Sequence, residues 1–342
     1  MKSLIFGYGE TGKSFERYLN NKEKDFEIFD ANISKFNFKY NPKDYDQILC
    51  SPGIARNTFY ELKKNNKNVL TDLDIFFNED KSIKIGITGT NRKSTTAYHL
   101  HQIFETYEKT NLIGNIGNTM LDNINNGKKF SIIELSSFQL DKMIENRLDF
   151  GILLNIESDH LDYHKDIESY KHAKERILAA KKFIAYELDP YKLFEWITNK
   201  KSKKIKLNDL PYRLERISRN IINDSKSTNY HSLLYAIEKA KDCFNDNFIL
   251  IVCGNPQKEQ YRKFRITEPS EILIFGKHSE AINKCIEHNN KKIFNDIEDL
   301  FLYLNNNKNE SNLLFSPGYP SGDDFKNFIK RGEIFNLHAL QN

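Results

Sequence analysis

Apolar positions fall in short blocks, each followed by a glycine-rich or polar turn and then by a stretch with helical spacing. Ser3–Phe6, Glu27–Asp30 and Gln47–Cys50 read as strands. The first runs into Gly7-Tyr-Gly9-Glu-Thr-Gly12-Lys-Ser14 and a helix through Leu19; the third ends in Ser51-Pro-Gly-Ile54, with a helix over about 58–65 and then Val69-Leu70. The rhythm restarts at Ile83. Strand 84–87 enters Thr88–Thr96 and a helix to about Tyr107, and strands 131–135, 152–155 and 183–186 follow, with a helix over 169–181 before the last. A third series holds a strand ending at Asn223, a helix from Tyr230 to Phe244, strands 248–253, 271–275 and 313–315, helices 279–288 and 297–305, and a final helix from about Asp323. Repeated strand–helix–strand units predict an α/β protein with parallel sheets. The polar stretch 78–82 and the lysine-rich stretch 187–209, which shows no core pattern, divide the chain into expected domains 1–80, 81–208 and 209–342.

Composition changes this picture little. The 342 residues carry 51 basic and 47 acidic side chains, a net charge of +4, too mild to predict nucleic-acid binding. Lysine and asparagine runs such as 64–68 read as solvated faces. No apolar run approaches the roughly 18 residues of a membrane span. Residues 1–7 enter a strand without a leader's apolar segment, so a cytoplasmic protein without membrane partners is expected. The four cysteines form no CxxC pair and read as reduced thiols.

Several turns carry chemistry. Gly86-Ile-Thr-Gly89-Thr90-Asn91-Arg92-Lys93-Ser94-Thr95 sits between strand and helix, the context of a phosphate-binding loop. There Lys93 reaches the terminal phosphates and Ser94 offers a hydroxyl to Mg²⁺. The usual glycine before the lysine is Arg92. Gly7-x-Gly9-x-x-Gly12 is weaker, because glycine at a βα turn is often structural, but Asp30 ends the second strand where such folds contact a ribose or base. Glu134 and His160 follow strand ends, where a carboxylate can hold Mg²⁺; a capping or surface acid is the plain alternative for Glu134, and His164 reads as a polar loop residue. Lys174, taken locally, reads as a solvated helix lysine. The 223–229 segment NDSKSTN offers Asp224, Lys226 and Thr228 to an anionic ligand, or simply caps a helix.

Taken in order, these elements resemble the Mur ligase family. They are joined by Gly114-Asn115-Ile-Gly117, Glu134-Leu-Ser-Ser-Phe-Gln139, Asn155–His164, Ala173-Lys174-x-Arg176-Ile177 and Ser316–Phe335, and they cover nearly the whole chain except about 182–209. The resemblance implies an α/β fold with the three-domain Mur ligase architecture: a Rossmann-like N-terminal domain, a central phosphate-loop ATPase domain and a Rossmann-like C-terminal domain that closes over the site. It implies ATP-dependent amide formation through an acyl phosphate, with Mg²⁺ at two sites and a monomeric chain. The Leu-Ser-Ser-Phe-Gln-Leu and final Arg-Gly elements favour the branch that adds D-glutamate to UDP-N-acetylmuramoyl-L-alanine.

By position, Lys93, Glu134, His160 and Lys174 would act at the reacting centre. Ser94, Glu134, His160 and a carbamylated Lys174 would serve the metals. Gly89 to Thr95 with Arg213 and Asp224 would hold ATP. Gly9, Thr11, Gly12, Asp30, Ser51, Gly53 and Asn115 would hold the UDP substrate, and Lys226, Thr228, Lys258, Ser321 and Phe328 the D-glutamate. This chain departs from the family at Arg92, in the short stretch after Lys181, and at 251–260, where only Gly254 and Lys258 survive of a Gly-Gly-x-Asp-Lys pattern. Two other readings share much of the pattern: a catalytically weakened nucleotide- or UDP-sugar-binding protein, and a ligase of the folylpolyglutamate synthase type.

Overall fold

A computed structural model of the chain describes residues 2–157, 161–256, 263–307, 311–322 and 324–340. Two compact units form, Met1–Leu207 and Asn208–Asn342.

The first unit holds two parallel sheets. β1 (Ser3–Phe6), β2 (Phe26–Phe29), β3 (Gln47–Cys50) and β4 (Val69–Leu70) pair in the order β2-β1-β3-β4. β5 (Ile83–Thr88), β6 (Thr110–Gly114), β7 (Phe130–Glu134), β8 (Phe150–Leu153) and β9 (Lys182–Ala185) pair in the order β6-β7-β5-β8-β9. The central strands are buried along their whole length, as strands covered on both faces must be. In each sheet the first strand lies between neighbours whose connections leave in opposite directions. The loops after β1 and β5 therefore open at the switch points where such sheets bind ligands.

Three elements escape the hydrophobic pattern for physical reasons. β6 begins with two polar residues, Thr110 and Asn111, yet both are buried: Asn111 Nδ2 donates to Ser131 Oγ at 3.1 Å and pairs with Asn126. The helix Asp72–Glu79 is announced by a capping box in which Thr71 and Asp74 exchange hydrogen bonds. Within 187–209, the helix Pro190–Thr198 is capped by Asp189 and buries Leu193, Phe194 and Ile197; Phe194 meets Phe104 at a centroid distance of 4.9 Å. That charged stretch thus contributes to the core. The polar stretch 78–82 is also structured. Asp80 and Lys84 are buried, 3.6 Å apart, and Lys84 Nζ donates to the Asp80 and Ser82 carbonyls at 2.7 and 3.0 Å.

The second unit is built on β10 (Glu215–Ser218), β11 (Ile221–Asn223), β12 (Ile249–Cys253), β14 (Glu271–Phe275), β16 (Lys291–Phe294) and β17 (Leu313–Gly318). Their order is β10-β11-β17-β12-β14-β16, parallel except for the edge pair β10–β11. β13 (Phe264–Arg265) and β15 (Ile286–Glu287) form a separate parallel pair. The final helix runs Phe328–Leu340, later than the sequence suggests. The turn before it is tied down: Asp324 accepts a hydrogen bond from the Lys277 amide at 3.2 Å.

Candidate active site

Lys93 opens the helix Lys93–Glu105 directly after the loop 89–92. The strands beside β5 hold this loop. Thr88 Oγ1 donates to the Leu135 carbonyl beyond β7 at 2.7 Å. Beyond β8, Asn155 receives the Thr90 amide on its carbonyl (3.0 Å) and the Asn91 amide on its side chain (2.8 Å), and returns a bond to the Asn91 carbonyl (3.1 Å). Asn91 Nδ2 reaches Glu157 at 2.8 Å, and Thr90 Oγ1 lies 3.0 Å from the Tyr170 hydroxyl. Lys93 Nζ folds back onto the Thr90 carbonyl at 3.0 Å. Arg92 caps the helix at φ 64°, in the left-handed region, with its side chain exposed. A pre-shaped loop that ends at a helix N-terminus is an anion-binding arrangement.

Glu134 closes β7 and is fully buried. Its Oε1 accepts from Asn115 Nδ2 at 3.1 Å, while Oε2 is buried without a hydrogen-bond partner. Asn115 reaches it because Gly114 turns at φ 104°; a Cβ there would stand 2.4 Å from the Glu134 carbonyl oxygen. An unpartnered buried carboxylate oxygen is costly and suits a hard cation. Among the described residues no three His, Cys, Asp or Glu gather as a metal cage. That donor set fits Mg²⁺, which is held by one or two carboxylates with water and substrate phosphates.

Two local readings need correction. Lys174 is no solvated lysine: it is 1% exposed, its Nζ donates to the Gly89 carbonyl at 2.6 Å, and it lies over the Tyr170 ring. His164 is no loop residue. It ends the short helix Leu161–His164, is buried, and has Nε2 2.9 Å from Ser137 Oγ. His160 lies outside the described residues, as does Lys258.

In the first loop, Asp30 receives the amides of Tyr8 (2.8 Å) and Asn32 (2.9 Å), so its carboxylate shapes the turn. Gly9 caps the helix Glu10–Asn21, with Thr11 half-buried in its first turn. Ser51 Oγ donates to the Gly7 carbonyl at 2.7 Å, and Gly53 faces open space.

In the second unit Asp224 follows β11, fully buried. It accepts from the Leu214 amide (3.1 Å) and Ser316 Oγ (3.0 Å). Burial pushes its carboxyl up to about 7, with Arg213 opposing the shift. Arg213 keeps a buried Nε without a hydrogen bond. Lys226 Nζ lies 5.5 Å from the Phe328 ring centre, and Ser225 Oγ donates to the Phe328 carbonyl at 2.8 Å. Thr228 and Ser321 are half-buried in the turns after β11 and β17.

Arg331, not singled out as a site residue from the sequence, organises these turns. It is 0% exposed and binds Ser225 Oγ (3.1 Å), the Ser225 carbonyl (2.6 Å) and the Tyr319 carbonyl (2.9 Å). Its place in the Arg-Gly element was the available signal. Asn155 and Glu157, likewise unassigned, stand in the predicted 155–164 segment, but only pairing of β8 with β5 shows that they grip the phosphate loop.

Fold and site together define an α/β protein with a preformed strand-to-helix loop beside a buried carboxylate that keeps one oxygen without a hydrogen-bond partner. Residues 87–244 match the Mur ligase middle domain. The chain is 27% identical to the UDP-N-acetylmuramoylalanine--D-glutamate ligase of Francisella philomiragia, across 98% of this chain and 95% of that enzyme. Their alignment spans 401 positions, more than the 342 residues here, so the relative carries residues with no counterpart in this chain. Two solved structures share the fold at 12% identity and a TM-score of 0.55. They are Thermotoga maritima MurF ligase in complex with ADP (99% of this chain, 95% of that one) and UDP-N-acetylmuramate-alanine ligase MurC from the same organism (100% and 99%). The chain thus carries a Mur ligase middle domain and shares the Mur ligase fold, and relatives similar to it over nearly its whole length are ligases that join D-glutamate to UDP-N-acetylmuramoylalanine.

Proposed function

We propose that this ligase joins D-glutamate to UDP-N-acetylmuramoyl-L-alanine. The observation that carries the reading is the near-full-length likeness to the Francisella enzyme of that activity. The substrate carboxylate attacks the γ-phosphorus of ATP, the bond to the ADP oxygen breaks, and an acyl phosphate forms. The amine of D-glutamate then attacks the acyl carbon, loses a proton, and expels inorganic phosphate as the amide closes.

Lys93 and the amides at the start of its helix hold and polarise the transferring phosphoryl group. Ser94, Glu134, His160 and Lys174, the last as its carbamate, would hold Mg²⁺, which offsets phosphate charge. The Gly9–Gly12 turn with Thr11, Asp30, Ser51, Gly53 and Asn115 binds the UDP-sugar end. Arg213 and Asp224 meet the nucleotide; Lys226, Thr228, Lys258, Ser321 and Phe328 receive the D-glutamate. The enzyme works as a cytoplasmic monomer of three domains. Among the described residues no helix is long and apolar enough to cross a membrane.

Phosphate release tests the reading. It is expected only when ATP, Mg²⁺, UDP-N-acetylmuramoyl-L-alanine and D-glutamate are all present, with other amino acids failing to replace D-glutamate. Arg92 at positive φ favours a second reading, a UDP-sugar-binding protein with little turnover. Tight UDP-sugar binding without amino-acid-dependent phosphate release would select it.

A further inference from the structure

The loop 51–54 is gripped from below by the end of the helix Ser137–Lys142. Lys142 is 1% exposed, and its Nζ donates to the carbonyls of both Pro52 and Ile54. The ammonium is walled by the Phe59 and Tyr163 rings, at 5.8 and 5.2 Å from their centres. The neighbouring Asp141 adds a second grip. Its carboxylate accepts from Arg56 Nε at 2.9 Å and from the Tyr163 hydroxyl at 3.2 Å, and its carbonyl accepts from the Tyr60 hydroxyl at 3.3 Å.

The grip has a direction. In a trans peptide the carbonyl and the following N–H point opposite ways. With the Pro52 and Ile54 carbonyls drawn onto Lys142, the amides of Gly53 and Ala55 point away from it. Gly53 lies on the open side, where even a Cβ would meet nothing within 4 Å. The same loop is tied at its start by Ser51 to the Gly7 turn. Lys142 itself stands three residues after Gln139, in the helix that follows Glu134 and Leu135. One buried side chain thus connects the glycine turn of the first sheet to the strand end that carries Glu134. A buried lysine surrounded by aromatic rings is expensive to maintain. A helix end needing only solubility would leave it in water.

We infer that Lys142, supported by Asp141, is a positioning residue that sets the 51–54 loop for the nucleotide-sugar substrate. This rests on the reading that the loop meets that substrate. Loss of the two bonds leaves two carbonyls without their donor and frees the loop to rotate its peptides. The effect falls on UDP-sugar binding, because the ATP loop is held by other residues, Asn155 and Glu157.

The test compares wild type, Lys142→Met and Asp141→Asn by steady-state kinetics and by calorimetric titration with UDP-N-acetylmuramoyl-L-alanine, after circular dichroism has confirmed folding. Lys142→Met should raise KM and Kd for the UDP-sugar about tenfold or more, with the ATP KM changed less than about twofold. Asp141→Asn, which keeps an oxygen acceptor but removes the charge opposite the partly buried Arg56, should shift the same constants in the same direction by about two- to fivefold. Should Lys142→Met not fold, Asp141→Asn decides. Unchanged UDP-sugar constants in a folded variant, or equal shifts for both substrates, overturn the inference. If wild type binds no UDP-sugar, the substrate reading itself fails. If wild type binds and the variants bind equally well, only the positioning role fails.

Discussion

After β1 the chain turns through Gly7–Gly12, and after β5 it turns through Gly89–Arg92. Both turns lead a parallel strand into a helix at a switch point, and both follow glycine patterns, yet they demand glycine for different reasons. At Gly12 the constraint is steric: a Cβ would lie 2.2 Å from the Gly7 carbonyl oxygen, a backbone atom that cannot step aside. At Arg92 the constraint is torsional. The residue sits at φ 64° with an exposed side chain. A left-handed L-residue costs on the order of 1–2 kcal/mol, which a folded domain can carry. A backbone overlap of the first kind has no such modest solution. A glycine motif therefore mixes positions that tolerate substitution with positions that do not, and letters alone do not separate them.

The largest expected effect tests whether the second turn is a working phosphate loop at all. Lys93→Ala should lower ligation turnover by about 10²–10³-fold, the range for losing one preorganised electrostatic contact to a transition state. Unchanged phosphate release would remove the loop from the mechanism. Next comes the steric turn. Gly12→Ala should destabilise the chain by about 3 kcal/mol in urea denaturation. Gly53→Ala, in open space, should change stability by less than about 1 kcal/mol. Equal effects at the two positions would contradict the steric argument.

A third kind of local cost is electrostatic. Asp72, at the first position of its helix, is buried with Oδ1 unpartnered, and burial pushes its carboxyl up to about 7. Because the folded value lies above the unfolded one, the native state holds the proton more tightly. The associated stability is fully present below about pH 4 and is lost as pH rises through about 7. Asp72→Asn should therefore gain on wild type between pH 5 and pH 8, by about 2 kcal/mol, in paired melts across that range. A difference that does not vary with pH would argue against a neutral native Asp72.

The smallest effect belongs to the torsional position. Arg92→Gly relieves the left-handed strain but enlarges the entropy of the unfolded chain by about 0.4–1 kcal/mol. The net gain should be about 1 kcal/mol or less, with the apparent ATP KM moving less than about tenfold. A loss of stability would mean that the guanidinium contributes more than its backbone strain removes. A wild type that is inactive until Arg92→Gly restores turnover would identify a degenerate ligase.

Much of the fold is legible in the sequence because parallel strands covered on both faces must be continuous apolar runs. Gln47–Cys50 and Glu271–Phe275 have those bounds in the structure, and the helix Tyr230–Phe244 has its expected ends. β6 is not legible, since its buried Asn111 is satisfied by Asn126 and Ser131, 15 and 20 residues on, and no local pattern announces that. The helix Pro190–Thr198 was legible in principle, from an Asp-Pro start and apolar residues at 193, 194 and 197, but the surrounding lysines obscure it.

The site divides in the same way. Residue type and order along the chain single out Lys93, Ser94 and Glu134 as the groups proposed to meet phosphate and metal, because that chemistry needs an ammonium, a hydroxyl and a carboxylate at strand ends. Sequence alone also determines the alternation of strand and helix, since burial on two faces dictates composition. Which polar groups are buried, and against what, was decided only by tertiary structure. Lys174 turns inward onto the Gly89 carbonyl, Arg331 ties two turns of the second unit together, and Lys142 holds the 51–54 loop. Each of these cations would read as solvated in its local context. Desolvating a charge becomes tolerable only where folding brings the right carbonyl oxygens to it, and those oxygens belong to backbone whose identity no side chain records.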